Sequence, residues 1–189
     1  MGNKYINIHQ DLLDRCLNGD QRAQFEIYRL YYKSMYNSSL RIVNVPEEAE
    51  DSMQESFLTA FRNLSTYSGE VSFGAWLKKI VINRSLDTLR KKKVIFEELH
   101  AELPVAYEQE PEPDSVTVEE VKSAINSLSD GYRTILSLIL LEGYDHEEVS
   151  EILGIKNVTS RTQFSRARQR LREILTENRK RQMEERIYG

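Results

Sequence analysis

The sequence predicts an all-α protein made of two small helical domains joined by an acidic linker. Apolar residues recur with the period of an α-helix over most of the chain, and only four prolines and eight glycines interrupt it. Three of the prolines lie in one central segment, where the helical period is lost. Acidic, proline-containing sequence is typical of a solvated linker, so the domain boundary is placed there.

The charge pattern divides the chain in the same way. Residues 1–93 carry 14 basic and 11 acidic side chains, residues 94–120 carry nine acidic and no basic ones, and residues 121–189 carry 12 basic and 10 acidic ones. The net charge of −4 therefore conceals two mildly basic ends, which suit a polyanionic partner. The predicted first domain covers residues 1–93 and the linker residues 94–114. The second domain covers residues 115–178, and a charged tail covers residues 179–189.

Four helices are predicted before the linker. The first covers residues 8–17, and the second begins near Asp20 with an apolar face made of Ala23, Ile27, Leu30, Tyr31 and Met35. Pro46 suits the first turn of the third helix, whose apolar stripe has helical spacing: Ala49, Met53, Phe57, Ala60, Phe61 and Leu64. After a loop at 67–70, the fourth helix covers residues 73–93.

Four more helices are predicted after the linker. One covers residues 115–128, and Ser129 caps the next, which buries Tyr132, Ile135, Leu136, Ile139 and Leu140. Asp145 and Glu148 have the spacing of a capping box, and Gly154 suits the end of the short helix that they begin. The last helix starts near Asn157 and continues past Leu175. This succession of short helix, glycine turn and longer helix predicts a helix-turn-helix.

The last helix has one face suited to DNA. From Lys156 to Arg172 it carries six basic residues and no acidic one. Its core stripe is predicted to be Phe164, Ala167, Leu171, Ile174 and Leu175. Guanidinium and hydroxyl groups recognise base edges and phosphates, and the predicted DNA-binding residues are Arg161, Thr162, Ser165, Arg166 and Arg168. A solvated basic face on a structural helix is the alternative, and the capped helix and turn that precede it favour DNA binding.

Two surfaces stand out in the N-terminal part. On the fourth helix, Lys79, Asn83 and Arg90 fall in one stripe with Asp87, which has the spacing of an ion-pair partner for Arg90. Trp76 is in phase with apolar neighbours, which favours a core position over an exposed wedge. On the third helix, an exposed leucine is surrounded by acids and an amide: Asp51, Gln54, Glu55 and Leu58. That pattern suits a protein partner, although an ordinary solvated helix face has the same composition.

These motifs carry a family resemblance. The run Ala49-Glu50-Asp51-Ser52-Met53-Gln54-Glu55-Ser56-Phe57, with Gly69-Glu70, Trp76-Leu77 and Asn83, resembles region 2 of extracytoplasmic-function (ECF) sigma factors. Glu142-Gly143-Tyr144, Leu153-Gly154-Ile155 and Ser165-Arg166-Ala167-Arg168 resemble region 4 of the same family. The two runs occur in the family's order and are separated by an acidic linker, without the middle domain of housekeeping sigma factors.

The resemblance implies a promoter-specificity subunit of RNA polymerase in the cytoplasm. It assigns Asp51, Gln54, Glu55 and Leu58 to binding core RNA polymerase, and the helix-turn-helix to the −35 promoter element. It assigns melting of the −10 element to the loop at 67–72 and the following helix, where the matching positions include Tyr67 and Asn83. The stripe on that helix adds Lys79 and Arg90 to the predicted −10 residues. An aromatic such as Tyr67 stacks on a flipped base. An anti-sigma factor is a further expected partner.

Two positions depart from the family pattern. Lys156 stands where relatives often have a serine that caps the recognition helix, so Asn157 is predicted to cap it one residue later. Ile139 stands where some relatives carry a basic residue that contacts DNA.

Other functional classes fit the sequence less well. The three histidines are scattered, and no phosphate-binding glycine loop occurs, so no catalytic residue, metal or cofactor is predicted. The single Cys16 and the absence of an apolar leader fit a reducing compartment. A stand-alone helix-turn-helix repressor or activator would require a dimer and a palindromic site. A helical adaptor that does not bind DNA would not need the acid-free basic helix.

Overall fold

The computed structural model describes residues 8–91 and 116–188, without the side chains of residues 187 and 188, and the elements in both ranges are helices. The chain divides into two compact units, Met1–Lys92 and Lys93–Gly189. The predicted linker at 94–114 lies outside the described residues.

Within residues 8–91, the N-terminal unit contains four α-helices: α1 (Gln10–Leu17), α2 (Gln21–Val43), α3 (Pro46–Arg62) and α4 (Phe73–Lys91), with a 3₁₀ turn at Leu64–Thr66. Asp20 caps α2, because its carboxylate accepts hydrogen bonds from the backbone N–H groups of Arg22 at 2.8 Å and Ala23 at 3.3 Å. Pro46 is the first residue of α3, as predicted. The positions of these helix starts follow from local sequence chemistry.

Helices α2, α3 and α4 pack around an aromatic and aliphatic core. The Tyr31 ring of α2 meets the ring of Phe73 edge-on, with centroids 5.4 Å apart. A Cβ atom on Gly74 would lie 3.0 Å from Tyr31 Cε1, so this glycine permits the close contact between α2 and α4. The prediction that Leu30 is buried is wrong, since its side chain is 52% exposed. The covered side of α2 is centred on Ile27, Met35 and Ile42.

Buried hydroxyl groups form a polar seam within the same bundle. The Ser39 and Ser85 hydroxyls lie 2.8 Å apart between α2 and α4, and those of Ser52 and Thr88 lie 3.1 Å apart between α3 and α4. Ser56 donates to the carbonyl of Ser52 within α3 at 2.6 Å. Because these residues are small and their hydroxyl groups are paired, the helices approach closely without leaving unsatisfied polar atoms.

The C-terminal unit contains α5 (Val118–Asn126), α6 (Asp130–Leu136), α7 (His146–Leu153) and α8 (Asn157–Tyr188). Thr117 caps α5 in a reciprocal capping box with Glu120, so α5 begins after residue 117 and not at the predicted residue 115. Helix α8 runs through residues 179–188, which the sequence analysis treated as a charged tail. The predicted tail therefore continues α8 through residue 188.

A π-helical turn at Ser137–Leu141 continues α6 and corrects one part of the predicted core. An α-helical phase placed Ile139 and Leu140 inside. In the structure Leu138 is fully buried, Ile139 is half-buried, and Leu140 is 53% exposed. The wider turn accommodates an extra residue and thereby rotates the side chains that follow it. Ser129 precedes α6 as predicted, but its hydroxyl makes no capping hydrogen bond.

Candidate nucleic-acid and protein-binding surfaces

The helix-turn-helix is set by caps at both ends of α7. The Asp145 carboxylate accepts hydrogen bonds from the backbone N–H groups of Glu147 at 2.8 Å and Glu148 at 2.9 Å, while Glu148 Oε2 accepts one from the Asp145 N–H at 2.9 Å. Gly154 ends α7 with φ +68°, a left-handed conformation that favours glycine. The predicted capping box and glycine stop are both confirmed, and they fix the direction of the chain into α8.

Helix α8 starts at Asn157, as predicted, but the residue at its capping position differs from the prediction. Lys156 occupies the capping position, and its carbonyl accepts a hydrogen bond from the Ser160 N–H at 2.9 Å. Asn157 is the first residue of the helix, so the prediction that it caps α8 is wrong. Its Oδ1 instead accepts a hydrogen bond from Arg161 Nε at 2.9 Å. Asn157 therefore restrains a predicted DNA-binding arginine.

The predicted DNA-binding residues lie on one side of α8. Arg161 and Arg168 are exposed, whereas Thr162, Ser165 and Arg166 are half-buried. The Thr162 hydroxyl donates to the Val158 carbonyl of its own helix at 3.0 Å. The Arg168 guanidinium lies over the Phe164 ring, 5.8 Å from the centroid, which is a cation–π contact. Restraining two of these arginines before binding reduces the entropy that they lose in a complex.

The inner side of α8 is more polar than predicted. Ala167 and Leu175 are buried as expected, while Phe164, Leu171 and Ile174 are half-buried. Ser160 and Gln163 are also buried, with 0% and 2% of their surfaces exposed. The sequence analysis missed them because it counted only apolar residues as core, although their spacing from Ala167 is helical.

The α4 stripe is exposed, and the loop before it is braced by aromatic contacts. Lys79, Asn83 and Arg90 are exposed, and Arg90 donates to Asp87 at 3.0 Å, as their spacing predicted. The Tyr67 ring lies 5.4 Å from Trp76 and 5.8 Å from Phe73 between centroids, and its hydroxyl donates to the Val71 carbonyl at 2.5 Å.

These contacts bear on the predicted roles of two aromatic residues. Tyr67 is half-buried and packs against the core, so in this structure its ring braces the loop and is not an open platform for a base. Trp76 also packs against the core, as favoured, although it is half-buried. The side chains that the loop exposes are Ser68, Glu70 and Val71.

The four residues predicted to bind a protein partner lie on the surface of α3. Asp51, Gln54, Glu55 and Leu58 are all exposed, and Leu58 is 55% exposed. Glu55 forms an ion pair with Arg84 of α4, which connects this face to the side of the α4 stripe. The sequence analysis did not pair these residues, because they lie on different helices and no local spacing relates them.

Two other kinds of feature do not occur within the part of the chain that the structure describes. No group of three or more histidine, cysteine, aspartate or glutamate residues within ranges 8–91 and 116–188 is placed to hold a metal ion. In the same ranges no helix combines the length and apolar character needed to cross a bilayer.

Comparison with known proteins identifies the family. The Sigma-70 region 2 family matches residues 27–94, and the Sigma-70 region 4 family matches residues 119–171. The ECF RNA polymerase sigma factor SigW of Bacillus subtilis is 32% identical over 171 residues, which cover 83% of this chain and 91% of SigW. The chain belongs to the ECF sigma factor family. As a sigma factor it binds core RNA polymerase and directs it to promoters for transcription initiation.

Two further comparisons extend this result. The ECF sigma factor SigE of Mycolicibacterium smegmatis is 29% identical over 169 residues, and this sigma factor covers 65% of the length of that relative. The sigma factor RpoE of Bartonella quintana, solved in complex with the anti-sigma factor NepR, has the same fold, with a TM-score of 0.56 at 23% identity. That match covers 80% of this chain and 95% of RpoE.

Proposed function

We propose that this sigma factor divides promoter recognition between its two units. Residues 1–93 bind core RNA polymerase and the −10 element, residues 115–178 bind the −35 element, residues 94–114 link them, and residues 179–189 are an additional tail. The observation that carries this proposal is the α8 face, which has six basic residues and no acidic one from Lys156 to Arg172 and follows a capped helix and a glycine turn. The chain itself catalyses no reaction and works in the cytoplasm.

In this proposal the N-terminal part of α8 enters the major groove of the −35 element. The residues that contact bases and phosphates there are Arg161, Thr162, Ser165, Arg166 and Arg168. Side chains near the N-terminus of a recognition helix lie closest to the base edges. The contacts of Arg161 with Asn157 and of Arg168 with Phe164 favour a fixed display of guanidinium groups.

Replacing Arg166 by alanine is expected to weaken binding of the sigma–core holoenzyme to promoter duplexes and to reduce its dependence on salt. Loss of one phosphate contact lowers the slope of log K against log salt by about 1. Filter binding between 50 and 300 mM salt measures this slope. Arg181→Ala is the matched control, because Arg181 is exposed on the same helix, about 22 Å farther along its axis. An unchanged slope for Arg166→Ala would place Arg166 away from DNA.

The α4 stripe and the preceding loop are proposed to open the −10 element. Lys79 and Arg90 supply positive charge for the phosphates, and the Asn83 amide offers both a donor and an acceptor to a base edge. In view of its contacts, Tyr67 is proposed to act there by shaping the loop, with base stacking confined to the part of its ring that remains exposed.

The α3 face formed by Asp51, Gln54, Glu55 and Leu58 is proposed to bind the clamp helices of core RNA polymerase. A leucine at the centre of a polar rim is the arrangement of an interface anchor. The structural relatives RpoE and CnrH were solved with the anti-sigma factor NepR and the cytosolic domain of CnrY, respectively. We accordingly propose that an anti-sigma factor controls this chain by covering the surfaces that the polymerase requires.

Leu58→Glu is expected to weaken binding to core RNA polymerase by tenfold or more, since burying an unpaired carboxylate in an interface costs about 2 kcal/mol or more. Fluorescence anisotropy of the labelled chain titrated with core enzyme measures this loss. Leu17→Glu is the control, because Leu17 has a similar exposure of 53% and lies on α1. Equal affinities for the Leu58 and Leu17 variants would remove α3 from the proposed interface.

A further inference from the structure

His146 lies where the two helices of the helix-turn-helix meet. It is the first residue of α7, so the capping box of Asp145 and Glu148 fixes its backbone. Its Nδ1 atom lies 3.0 Å from the Ser160 hydroxyl of α8. Its ring also meets the Phe164 ring edge-on, with centroids 5.4 Å apart and planes at 75°. One side chain of α7 therefore makes a polar and an aromatic contact with α8.

Both contacts adjoin the restrained arginines of the DNA-binding face. Ser160 directly precedes Arg161, and Phe164 carries the guanidinium of Arg168 on its ring. Ser160 is fully buried, so its hydroxyl depends on partners within the protein. The histidine is thus connected through one residue to each of these two arginines.

The charge state of His146 suits this position. Burial, followed by the positive charge of Arg161, lowers the pKa of His146 below its ordinary value of 6.5, and Asp145 opposes this shift. The imidazole is therefore mainly neutral near pH 7, with one nitrogen that donates and one that accepts. A neutral ring adds no repulsion to Arg161 or to the positive end of α7.

We infer that His146 is a positioning residue for promoter recognition, which fixes the rotation of α8 about its axis by its hydrogen bond to Ser160 and steadies the Phe164 platform beneath Arg168. This inference rests on the proposed binding of α8 to the −35 element. It gives His146 no contact with DNA.

The hydrogen bond from His146 is directional, whereas the two buried side chains of α7 itself are apolar. Val149 and Leu153 of α7 are buried hydrophobic residues, which hold a helix in place without fixing its rotation finely. A rotation of about 20° moves an atom about 8 Å from a helix axis by nearly 3 Å, and that displacement breaks a hydrogen bond to a base. The His146–Ser160 hydrogen bond restrains this motion.

The test compares full-length variants assembled with core RNA polymerase. The probes are a promoter duplex selected from a random pool by the wild-type holoenzyme and the same duplex with its upstream element scrambled. His146→Phe keeps an aromatic ring at this position but removes the hydrogen bond to Ser160. Ser160→Ala removes the other partner of that hydrogen bond. His146→Asn keeps a polar group near the Nδ1 position. Thermal unfolding of each variant shows whether the C-terminal unit remains folded.

His146→Phe and Ser160→Ala are each expected to weaken binding to the selected duplex about fivefold, the effect of one hydrogen bond. The double variant should bind no worse than either single variant, because both changes remove the same interaction. His146→Asn should restore most of the affinity, and binding to the scrambled duplex should stay nearly constant for all variants. Rescue by His146→Asn and a double variant that binds no worse than the single variants would show that the hydrogen bond positions α8. A loss of packing alone would give neither result.

Other outcomes would show whether the positioning role of His146 fails alone or together with the proposed function. If Arg166→Ala weakens binding while His146→Phe and Ser160→Ala do not, the positioning role is overturned and the proposed function stands. If Arg166→Ala also binds like the wild type, the proposed function fails. If His146→Phe does not fold, Ser160→Ala and His146→Asn decide: wild-type affinity for Ser160→Ala, or a loss for His146→Asn as large as that for Ser160→Ala, overturns the inference.

Discussion

Arg133→Met is expected to lower the free energy of unfolding of the C-terminal unit by about 3 kcal/mol. Arg133 is only 3% exposed, although it carries a full positive charge. Its guanidinium donates to the Leu128 carbonyl at 3.0 Å and forms an ion pair with Asp130. Methionine fills similar space but leaves the carboxylate of Asp130 and the Leu128 carbonyl without this partner. Urea unfolding followed by circular dichroism measures the loss.

Arg170→Met is the matched control for this prediction. Arg170 also pairs with an acid three residues away, Glu173, at 2.8 Å, but its side chain is 48% exposed. Exposed pairs of this kind contribute about 0–1 kcal/mol, so the control should unfold almost like the wild type. Equal losses for Arg133→Met and Arg170→Met would mean that burial does not determine the importance of the pair. Binding to core RNA polymerase, which is assigned to the other unit, should survive in both variants.

Local sequence chemistry predicted the parts of the fold that depend on neighbouring residues. The capping box at Asp145, the glycine stop at Gly154 and the proline start of α3 each involve atoms within a few residues, and all three appear in the structure. Helical spacing also placed Phe57 and Ala167 in the cores of their units. Interactions of this range are readable from sequence because one short segment contains every participant.

The sequence analysis was wrong or incomplete in two situations. In one, the helix departs from the regular α-helical period, and in the other, residues far apart in the sequence are in contact. The π turn at Ser137–Leu141 exchanges Leu140 for Leu138 in the core, and an ideal helical period cannot anticipate the extra residue. Glu55 pairs with Arg84 across two helices, and His146 meets Ser160 across the turn. The amino-acid types indicated the candidate surfaces, but the partners that restrain them became visible only in three dimensions.

The same distinction applies to the candidate DNA-binding residues. Composition and phase placed Arg161 and Arg168 on the outer face of α8, and both are exposed. Their restraints come from Asn157 and Phe164, each four residues before the arginine that it holds. That spacing was available in the sequence, but Asn157 was interpreted as a cap. An asparagine side chain can either cap a helix or accept a hydrogen bond from a residue four positions later. Which of the two Asn157 does depends on where the helix backbone begins.

Phe73→Ala is expected to destabilise the N-terminal unit by about 4 kcal/mol, within the usual range for removing a buried phenylalanine. Phe73 is 1% exposed, and its ring contacts those of Tyr31, Tyr67 and Trp76. It is also the first residue of α4, so the cavity would loosen both the proposed −10 stripe and the tyrosine that braces the preceding loop.

Phe73→Ala should impair the functions assigned to the N-terminal unit, whereas Arg133→Met should leave them intact. Core RNA polymerase binding and initiation should fall together, while the C-terminal unit retains its own unfolding transition. Phe25→Ala provides the stability control, because Phe25 is 62% exposed and its removal should change the unfolding free energy by less than about 0.5 kcal/mol. Urea unfolding and run-off transcription with purified core enzyme measure the two effects. A Phe73→Ala protein that unfolds at the wild-type urea concentration would contradict the assignment of Phe73 to the centre of this core.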